Sequence, residues 1–440
     1  MTAHHSASNY ESWGHYPKAT HRAVVTPSFR SVSITLDKGL SWLPRGNGRS
    51  YGDVCLNPDN GLISSSGLQR LISFDPESGI LHAESGVLLS EIIDLVVPVG
   101  WFLPVTPGTM FVTLGGAIAN DVHGKNHHTH GTFGKWVRSI DIVRADSGTV
   151  VCSLSQNEGL FRATIGGLGL TGFIVAAEIQ LERIESPFML VREKPFQGID
   201  EFWDLDEAMR KDYPYTVAWI DCLDKNGRGI YTAARSCHSP GVGSMLNAGA
   251  PKSINFPVAP PFSLVNGWSL RLFNKAYYAT HSRKQGECMT SLMKYHYPLD
   301  GIKNWNRMYG PKGFLQYQCV VPSKDSRFAI SELLRKIRQS GQGSFLAVLK
   351  TFGDEISTGM LSFPMPGATL ALDFPFKGAS TTRLLDNLDA IVSAVGGRIY
   401  PAKDARMSAG TFLATYPQMT DFTKYIEPGF SSGFWRRVSQ

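Results

Sequence analysis

Four histidines, a lysine and an asparagine crowd into the eight positions His123–His130, HGKNHHTH. Imidazole and ammonium groups can move protons and hold anions, and clustered histidines can bind metals. No carboxylate or cysteine stands at a spacing that completes a ligand set with His127, His128 and His130, so these three are expected to pack rather than to bind a metal. The cluster closes a longer stretch, Pro104–His130, rich in small residues where a core would be bulky. Within it, Gly115 and Gly116 let a backbone approach something flat or phosphorylated. Upstream, Pro44–Gly52 reads PRGNGRSYG, and downstream Gly166–Gly172 reads GGLGLTG. Backbone N–H groups in successive tight turns form concave donor sites for phosphate, and Arg45 and Arg49 add two guanidinium groups. One such run alone would read as ordinary turn glycines. Three runs and a histidine cluster in one half of a chain point to a common object, a large bound cofactor. Farther on, Gln316 and Gln318 alternate along one strand-like segment and so share a face.

The elements that must carry these residues read as α+β. Strand-like runs occur at Ser31–Leu36, Ser41–Pro44, Leu62–Ser65, Ile72–Phe74, Ile80–Glu84, Val137–Arg144, Gly148–Leu154 and Gly172–Leu181. Leu88, Leu89, Ile92, Ile93, Leu95 and Val96 fall at helical spacing, which predicts a helix over 87–97 ended by Pro98. Gly159–Thr164 reads as a short helix, and residues 1–30 as a loosely held arm. The glycine loops lack the strand–turn–helix setting of a dinucleotide-binding βαβ unit, which disfavours that fold although Gly46-x-Gly48 resembles a piece of its fingerprint. Composition shifts near Ser186-Pro187. The chain is therefore divided into a first domain, 1–187 with 398–440, and a second, 188–397. In the second, helices are expected at Ile199–Lys211, Arg327–Gln339 and Thr381–Val395. Strands are expected at Thr216–Cys222, Gly229–Ala234, Leu315–Val321, Ser344–Lys350 and Thr369–Phe374, giving a large antiparallel sheet flanked by helices. Residues 237–268 and 296–312 read as irregular, a flap or binding loop.

Composition narrows the function classes. The chain has 440 residues, 42% hydrophobic and 18% charged, with 44 glycines, as in a well-buried globular protein. Its net charge of +6 is spread out, without the Lys/Arg block of a nucleic-acid tail, so no nucleic-acid partner is expected. A mildly basic surface suits anionic substrates or lipid headgroups. Six cysteines form no CxxC pair, which argues against a zinc ribbon or dithiol motif and suits reduced thiols. The N-terminal residues have no apolar core, so no signal peptide is expected, and no apolar run approaches a membrane span. The cytoplasm, or the periphery of the inner membrane, is the expected location, with the periplasm open only through export in the folded state.

The order Arg-Gly-x-Gly-x-Ser, Pro-Gly-Thr, Gly-Gly-Ala-Ile-Ala, His-Gly and Gly-x-x-Gly-x-Thr-Gly resembles the PCMH-type FAD-binding domain of the vanillyl-alcohol-oxidase flavoproteins. HGKNHH at 123–128, YGPKGFLQYQ at 309–318 and AKDAR at 402–406 are similar, more specifically, to the decaprenylphosphoryl-β-D-ribose 2′-oxidase family, from Gly14 to about Arg406. The resemblance implies FAD as cofactor. Pro44, Arg45, Gly46, Asn47, Gly48, Arg49, Ser50, Tyr51, Gly52, Asp53 and Val54 would hold its pyrophosphate. Gly108, Thr113, Leu114, Gly115, Gly116, His123, Gly124, Lys125, Asn126 and Ile174 would line it, with Tyr400 closing over the flavin. Facing the substrate would be Tyr51, His123, Lys125, Gln316, Gln318, Lys350 and Lys403. Thr369 and Ala371 stand where mycobacterial members carry Asn and Cys, making a smaller, less polar wall. Many relatives carry, after Arg-Gly-x-Gly, a histidine bonded to the flavin; Arg49 occupies that position and cannot form the link, so non-covalent FAD is expected.

The resemblance further implies oxidation of the 2′-hydroxyl of a polyprenyl-phosphate ribose to the 2′-keto sugar, the first half of an epimerisation in cell-wall arabinan precursor synthesis. Lys403 is the first candidate to take the hydroxyl proton, with Lys125 and His123 beside it, because a buried lysine among positive neighbours can have its pKa lowered enough to act as a base. A separate NAD(P)H-dependent keto-sugar reductase and a quinone or oxygen as electron acceptor are implied as partners. Two competing readings are an FAD oxidase of a soluble polyol or aldonolactone, and a non-enzymatic basic scaffold for anionic lipid or polymer.

Overall fold

The protein is described as a computed structural model over residues 10–30, 36–144, 147–237, 253–284 and 286–440. The predicted strand Ser31–Leu36 lies, but for Leu36, outside the described residues; so do residues 145–146, between two predicted strands, and part of the predicted flap, 238–252.

Alternating apolar residues build an antiparallel five-stranded sheet in the order Leu71–Asp75, Ile80–Glu84, Phe173–Gln180, Val137–Arg144, Gly148–Ser153. The chain turns at Gly79 between Leu71–Asp75 and Ile80–Glu84 with φ +71°, and a Cβ there would meet the Trp101 ring at 2.1 Å, so only glycine fits. The predicted helix spans Leu89–Val96 and buries Leu89, Ile92, Ile93 and Val96, whereas Leu95 faces solvent. Ala23–Val25, Gly61–Ser64 and Trp42–Arg45 form a small parallel sheet with Gly61–Ser64 in the middle. The arm is therefore not loose over its described part: Val24 and Val25 are buried, and Trp13 N–H donates to the Ser50 carbonyl.

The second sheet has eight antiparallel strands in the order Glu287–Ser291, Phe188–Phe196, Gly229–Ser236, Tyr215–Ile220, Val348–Phe352, Gly367–Pro375, Phe314–Pro322, Arg398–Ile399. Helices Ile199–Met209, Ser326–Ser340 and Ala379–Ala394 pack against it, and Tyr317, Cys319, Val321, Leu370 and Leu372 join their buried residues in one core. By the period of two, Gln316, Gln318, Thr369, Ala371, Val348 and Lys350 belong to the opposite face. The α+β expectation and the large antiparallel sheet hold. One predicted strand moves: Ser344 precedes Val348–Phe352 and instead accepts, through its hydroxyl, the N–H groups of Leu346 and Asp373. Among the helices that the sequence spacing does not predict, Gly267–His281 is the longest.

The C-terminal segment contacts both sheets' surroundings. Arg398–Ile399 pairs with Cys319–Val320 at the edge of the large sheet, whereas Phe430 packs with Trp42 and Arg437 pairs with Asp53 at 2.7 Å. Leu292, Tyr295 and Tyr297, from the second half, enter the core of the five-stranded sheet.

Candidate active site

The glycine runs and the face of the large sheet opposite those three helices enclose a cavity of about 500 Å³. Its floor is fixed by interlocked loops. A Cβ on Gly46 would lie 2.3 Å from Thr113 Oγ1, and Gly48 adopts φ +61°. Asn47 Nδ2 donates to the Phe111 carbonyl at 2.8 Å, tying the first run to the second. Thr113 caps the helix Leu114–Ala119 by accepting from Gly116 N–H, and Gly115 N–H donates to the Ser85 carbonyl. The two guanidinium groups are held by aromatic rings: Arg45 lies 4.9 Å from the Tyr10 ring centre, and Arg49 lies 4.2 Å from that of Trp13.

The opposite wall carries the ionisable groups. Gln318 Nε2 donates to Thr369 Oγ1 at 3.2 Å and to His123 Nε2 at 3.0 Å, so Nε2 of that imidazole is an acceptor. Gln316 Nε2 donates to Asp373 Oδ1 at 2.6 Å. Lys350 Nζ donates to the Gly124 carbonyl at 3.1 Å. Lys403 comes from the turn after Tyr400, and its ammonium stands over Tyr51, 3.9 Å from the ring centre. Tyr400 stacks on Phe363 at 4.5 Å and donates to the Asn120 carbonyl at 3.0 Å.

Enclosure of these groups moves their protonation equilibria. Burial, helped by the Lys350 charge and opposed by Asp373, lowers Lys403 to about 7. Burial lowers Lys350 to about 8 and raises Asp373 to about 7. His123 falls well below its usual range, through burial first and then the charges of Lys350, His127 and Lys403. At neutral pH the wall thus offers a neutral imidazole and a lysine close to its midpoint.

Several lining side chains end in buried polar atoms with no protein partner: Arg45 Nε, Arg49 Nε, Ser65 Oγ, Ser85 Oγ, Asn120 Oδ1 and His123 Nδ1. Buried polar atoms are almost always hydrogen-bonded. This distribution, over guanidinium, hydroxyl, amide and imidazole groups around one cavity, fits a polar ligand with many acceptors and donors such as a dinucleotide. Residues 30–153 match the FAD binding domain family. The chain is 34% identical to a decaprenylphosphoryl-beta-D-ribose oxidase of Mycolicibacterium smegmatis, over 93% of this chain and 92% of that protein. The chain belongs to this oxidase family. It is an FAD-dependent oxidoreductase. It is also 31% identical, over 80% of its length and all of the other, to an uncharacterized protein of the mprA 5′ region of Streptomyces coelicolor. A Delta(24)-sterol reductase of Macaca fascicularis matches at 31% over only 36% of this chain and 31% of its own.

Of the residues that the family resemblance singled out, the cavity is lined by Pro44 through Tyr51, Val54, Gly108, Thr113, Gly115, Gly116, His123, Ile174 and Tyr400. Gln316, Gln318, Lys350, Thr369, Ala371 and Lys403 also line it. Six others do not, each for a visible reason. Gly52 packs under the 402–405 turn, where a Cβ would lie 1.8 Å from the Asp404 carbonyl oxygen. Asp53 is bound to Arg437, and Leu114 is wholly buried among apolar side chains. Gly124 receives Lys350 through its carbonyl, and Asn126 donates to the Pro104 carbonyl at 2.8 Å. Lys125 turns away: its ammonium donates to the Tyr295 carbonyl and lies 4.1 Å from that ring's centre. Burial and Lys350 still lower it to about 7, so its shift marks enclosure rather than proximity to the reacting groups. His127 packs on Phe352 at 4.3 Å, and among the described residues no three His, Cys, Asp or Glu side chains come together as metal ligands would.

The cavity also uses residues that motif reading missed: Trp13, Ser65, Ser85, Phe111, Asn120, Asp300 and Trp305. Ser85 sits at a close approach of two loops, since a Cβ on the following Gly86 would meet the Ser65 carbonyl oxygen at 2.0 Å. Trp13 and Trp305 carry no spacing signal; they meet edge to face at 5.8 Å only in the folded chain.

Proposed function

We propose that the protein oxidises the 2′-hydroxyl of a polyprenylphosphoryl ribose to the 2′-keto sugar. The observation that carries this reading is the convergence of Lys403, Lys350, Gln316 and Gln318 on the cavity formed by the cofactor-binding loops. Bound FAD supplies the hydride acceptor. Neutral Lys403 accepts the hydroxyl proton at Nζ as the C–H bond breaks, and the Tyr51 ring face beneath it favours the ammonium that results. Asp373 favours the same charged form. Gln316 and Gln318 present side-chain amides from alternate positions of one strand to a polyhydroxylated ring. Lys350, lowered only to about 8, is largely charged at neutral pH and suits an anionic group of the substrate. Tyr400, Phe363 and Phe352 crowd His123 and keep water from that end of the wall.

The substrate class is supported by the extent of similarity to the Mycolicibacterium smegmatis oxidase, which covers both sheets. The same reading places the protein at the inner membrane as a peripheral protein, passes the keto sugar to a separate NAD(P)H-dependent reductase, and returns the electrons to a quinone or oxygen. Anaerobic mixing with a polyprenylphosphoryl ribose should bleach the flavin absorption, and soluble polyols and aldonolactones should not. Bleaching by a soluble polyol, with the lipid sugar inert, would replace this reading by that of a polyol oxidase.

A further inference from the structure

No aspartate or glutamate occurs between Asp224 and Glu287, while eight lysines and arginines do. Within the described part of this stretch, several large apolar side chains point outward. Trp268 is 89% exposed, Ile254 74%, Leu272 73%, Val258 71% and Phe262 66%. A lone exposed leucine needs no explanation, but five large exposed apolar side chains within 19 residues of a carboxylate-free stretch mark an interaction surface.

The set stands on a fixed base. Helix Gly267–His281 is capped by Asn266 and anchored on one side: Leu270 is buried, Asn274 Nδ2 donates to Asp221 Oδ1 at 2.7 Å, and Tyr277 lies 4.6 Å from Trp219. Trp268 and Leu272, one turn apart, share the outer side, with Arg271 and Lys275 exposed beside them. Ile254–Asn255 pairs with Ile302–Lys303, and Arg307 donates to the carbonyls of Phe256 and Pro257. Ile302, Lys303 and Trp305 in turn line the cavity. The apolar surface is thus continuous with the rim of the active site.

We infer that this face docks the protein onto an anionic lipid bilayer, with Trp268 and Leu272 entering the acyl boundary and Arg271 and Lys275 at the headgroups. A helix whose outer side joins large apolar residues to basic ones, in a stretch free of carboxylates, has the composition of an interfacial helix. Docking there brings the cavity rim to the surface from which a lipid-linked sugar would have to be drawn. The purpose rests on the substrate reading above; the docking itself does not.

The test is flotation of the FAD-loaded protein with vesicles of phosphatidylglycerol and phosphatidylcholine, beside vesicles of phosphatidylcholine alone. The protein should float with the anionic vesicles and less with the neutral ones. The double variant W268S/L272S should bind the anionic vesicles at least about tenfold less, with unchanged flavin content and melting temperature. Failure of the wild type to float overturns the inference, as does equal flotation of the variant. A wild-type dimer that the variant converts to monomer, without vesicle binding, would assign the face to a second copy instead. Binding is read without turnover, so vesicle binding with no oxidation of the lipid sugar would overturn only the substrate reading.

Discussion

Lys403 and Tyr51, from opposite ends of the chain, meet with the ammonium 3.9 Å from the phenol ring centre. The contact is built by the backbone: Tyr51 N–H donates to the Ala402 carbonyl at 2.9 Å, and the absence of a side chain at Gly52 lets the 402–405 turn settle on the loop. The Lys403 ammonium is thereby held at the cavity wall by the same loop that lines it.

If Lys403 takes the hydroxyl proton, it works only when neutral. The rate of flavin reduction should therefore rise with pH through about 7. Lys403→Met should lower that rate by about 10²–10⁴ while leaving the flavin bound. Asp373 raises the lysine's pKa, so Asp373→Asn, which keeps an acceptor for Gln316, should move the rising limb toward lower pH. Stopped-flow absorbance across pH checks both, and a limb that moved to higher pH would exclude Lys403 as the base.

The cofactor should be released without breaking a covalent bond. Arg49 lines the cavity at the position expected of a flavin-linking histidine, and a guanidinium held on the Trp13 ring forms no such bond. Acid precipitation should leave all the yellow colour in the supernatant. Colour retained in the pellet would require a different attachment residue.

Which parts were legible in the sequence follows from how local their causes are. The glycine runs, the 87–97 helix and the Gln316/Gln318 strand are set by local spacing, and the structure places them where that spacing implies. Lys125 illustrates the opposite case. It sits in the most specific motif of the chain, yet its direction depends on Tyr295, a residue far away in sequence. Helix Gly267–His281 escaped because only one side of it is anchored while Trp268 and Leu272 face outward, which blurs the amphipathic period. The orphaned Ser65 and Ser85 hydroxyls were invisible for the same reason: their significance lies in the partner they lack after folding.

The C-terminal helix Gly433–Val438 should matter to the site through Arg437. This guanidinium reaches Asp53 at 2.7 Å and Asp404 at 3.0 Å, the latter directly following Lys403. Burial pushes Asp53 upward, while the two carboxylates hold Arg437 firmly protonated. Removing one partner of a buried ionic group leaves the others uncompensated, at a cost of about 3–5 kcal/mol. Arg437→Met should lower the melting temperature and the flavin-release temperature together. Loss of stability with no change in flavin release would separate this cluster from the cavity.

His127 offers the reverse outcome, a substitution that should stabilise. Both its ring nitrogens are buried without a partner, and its ring packs on Phe352 at 4.3 Å. Burial, with the Lys350 charge, lowers it to about 3, below the ordinary histidine value of 6.5. The unfolded chain therefore binds a proton between those limits that the folded protein refuses, and stability falls as pH drops from 6.5 toward 3. His127→Phe keeps the ring packing and removes the titration. The loss of stability between pH 7 and pH 5 should then shrink by about 2 kcal/mol, and stability at pH 7 should stay equal or rise, since two unsatisfied nitrogens are gone. Denaturant unfolding at the two pH values measures both quantities. An unchanged acid loss would mean that His127 is paired in solution.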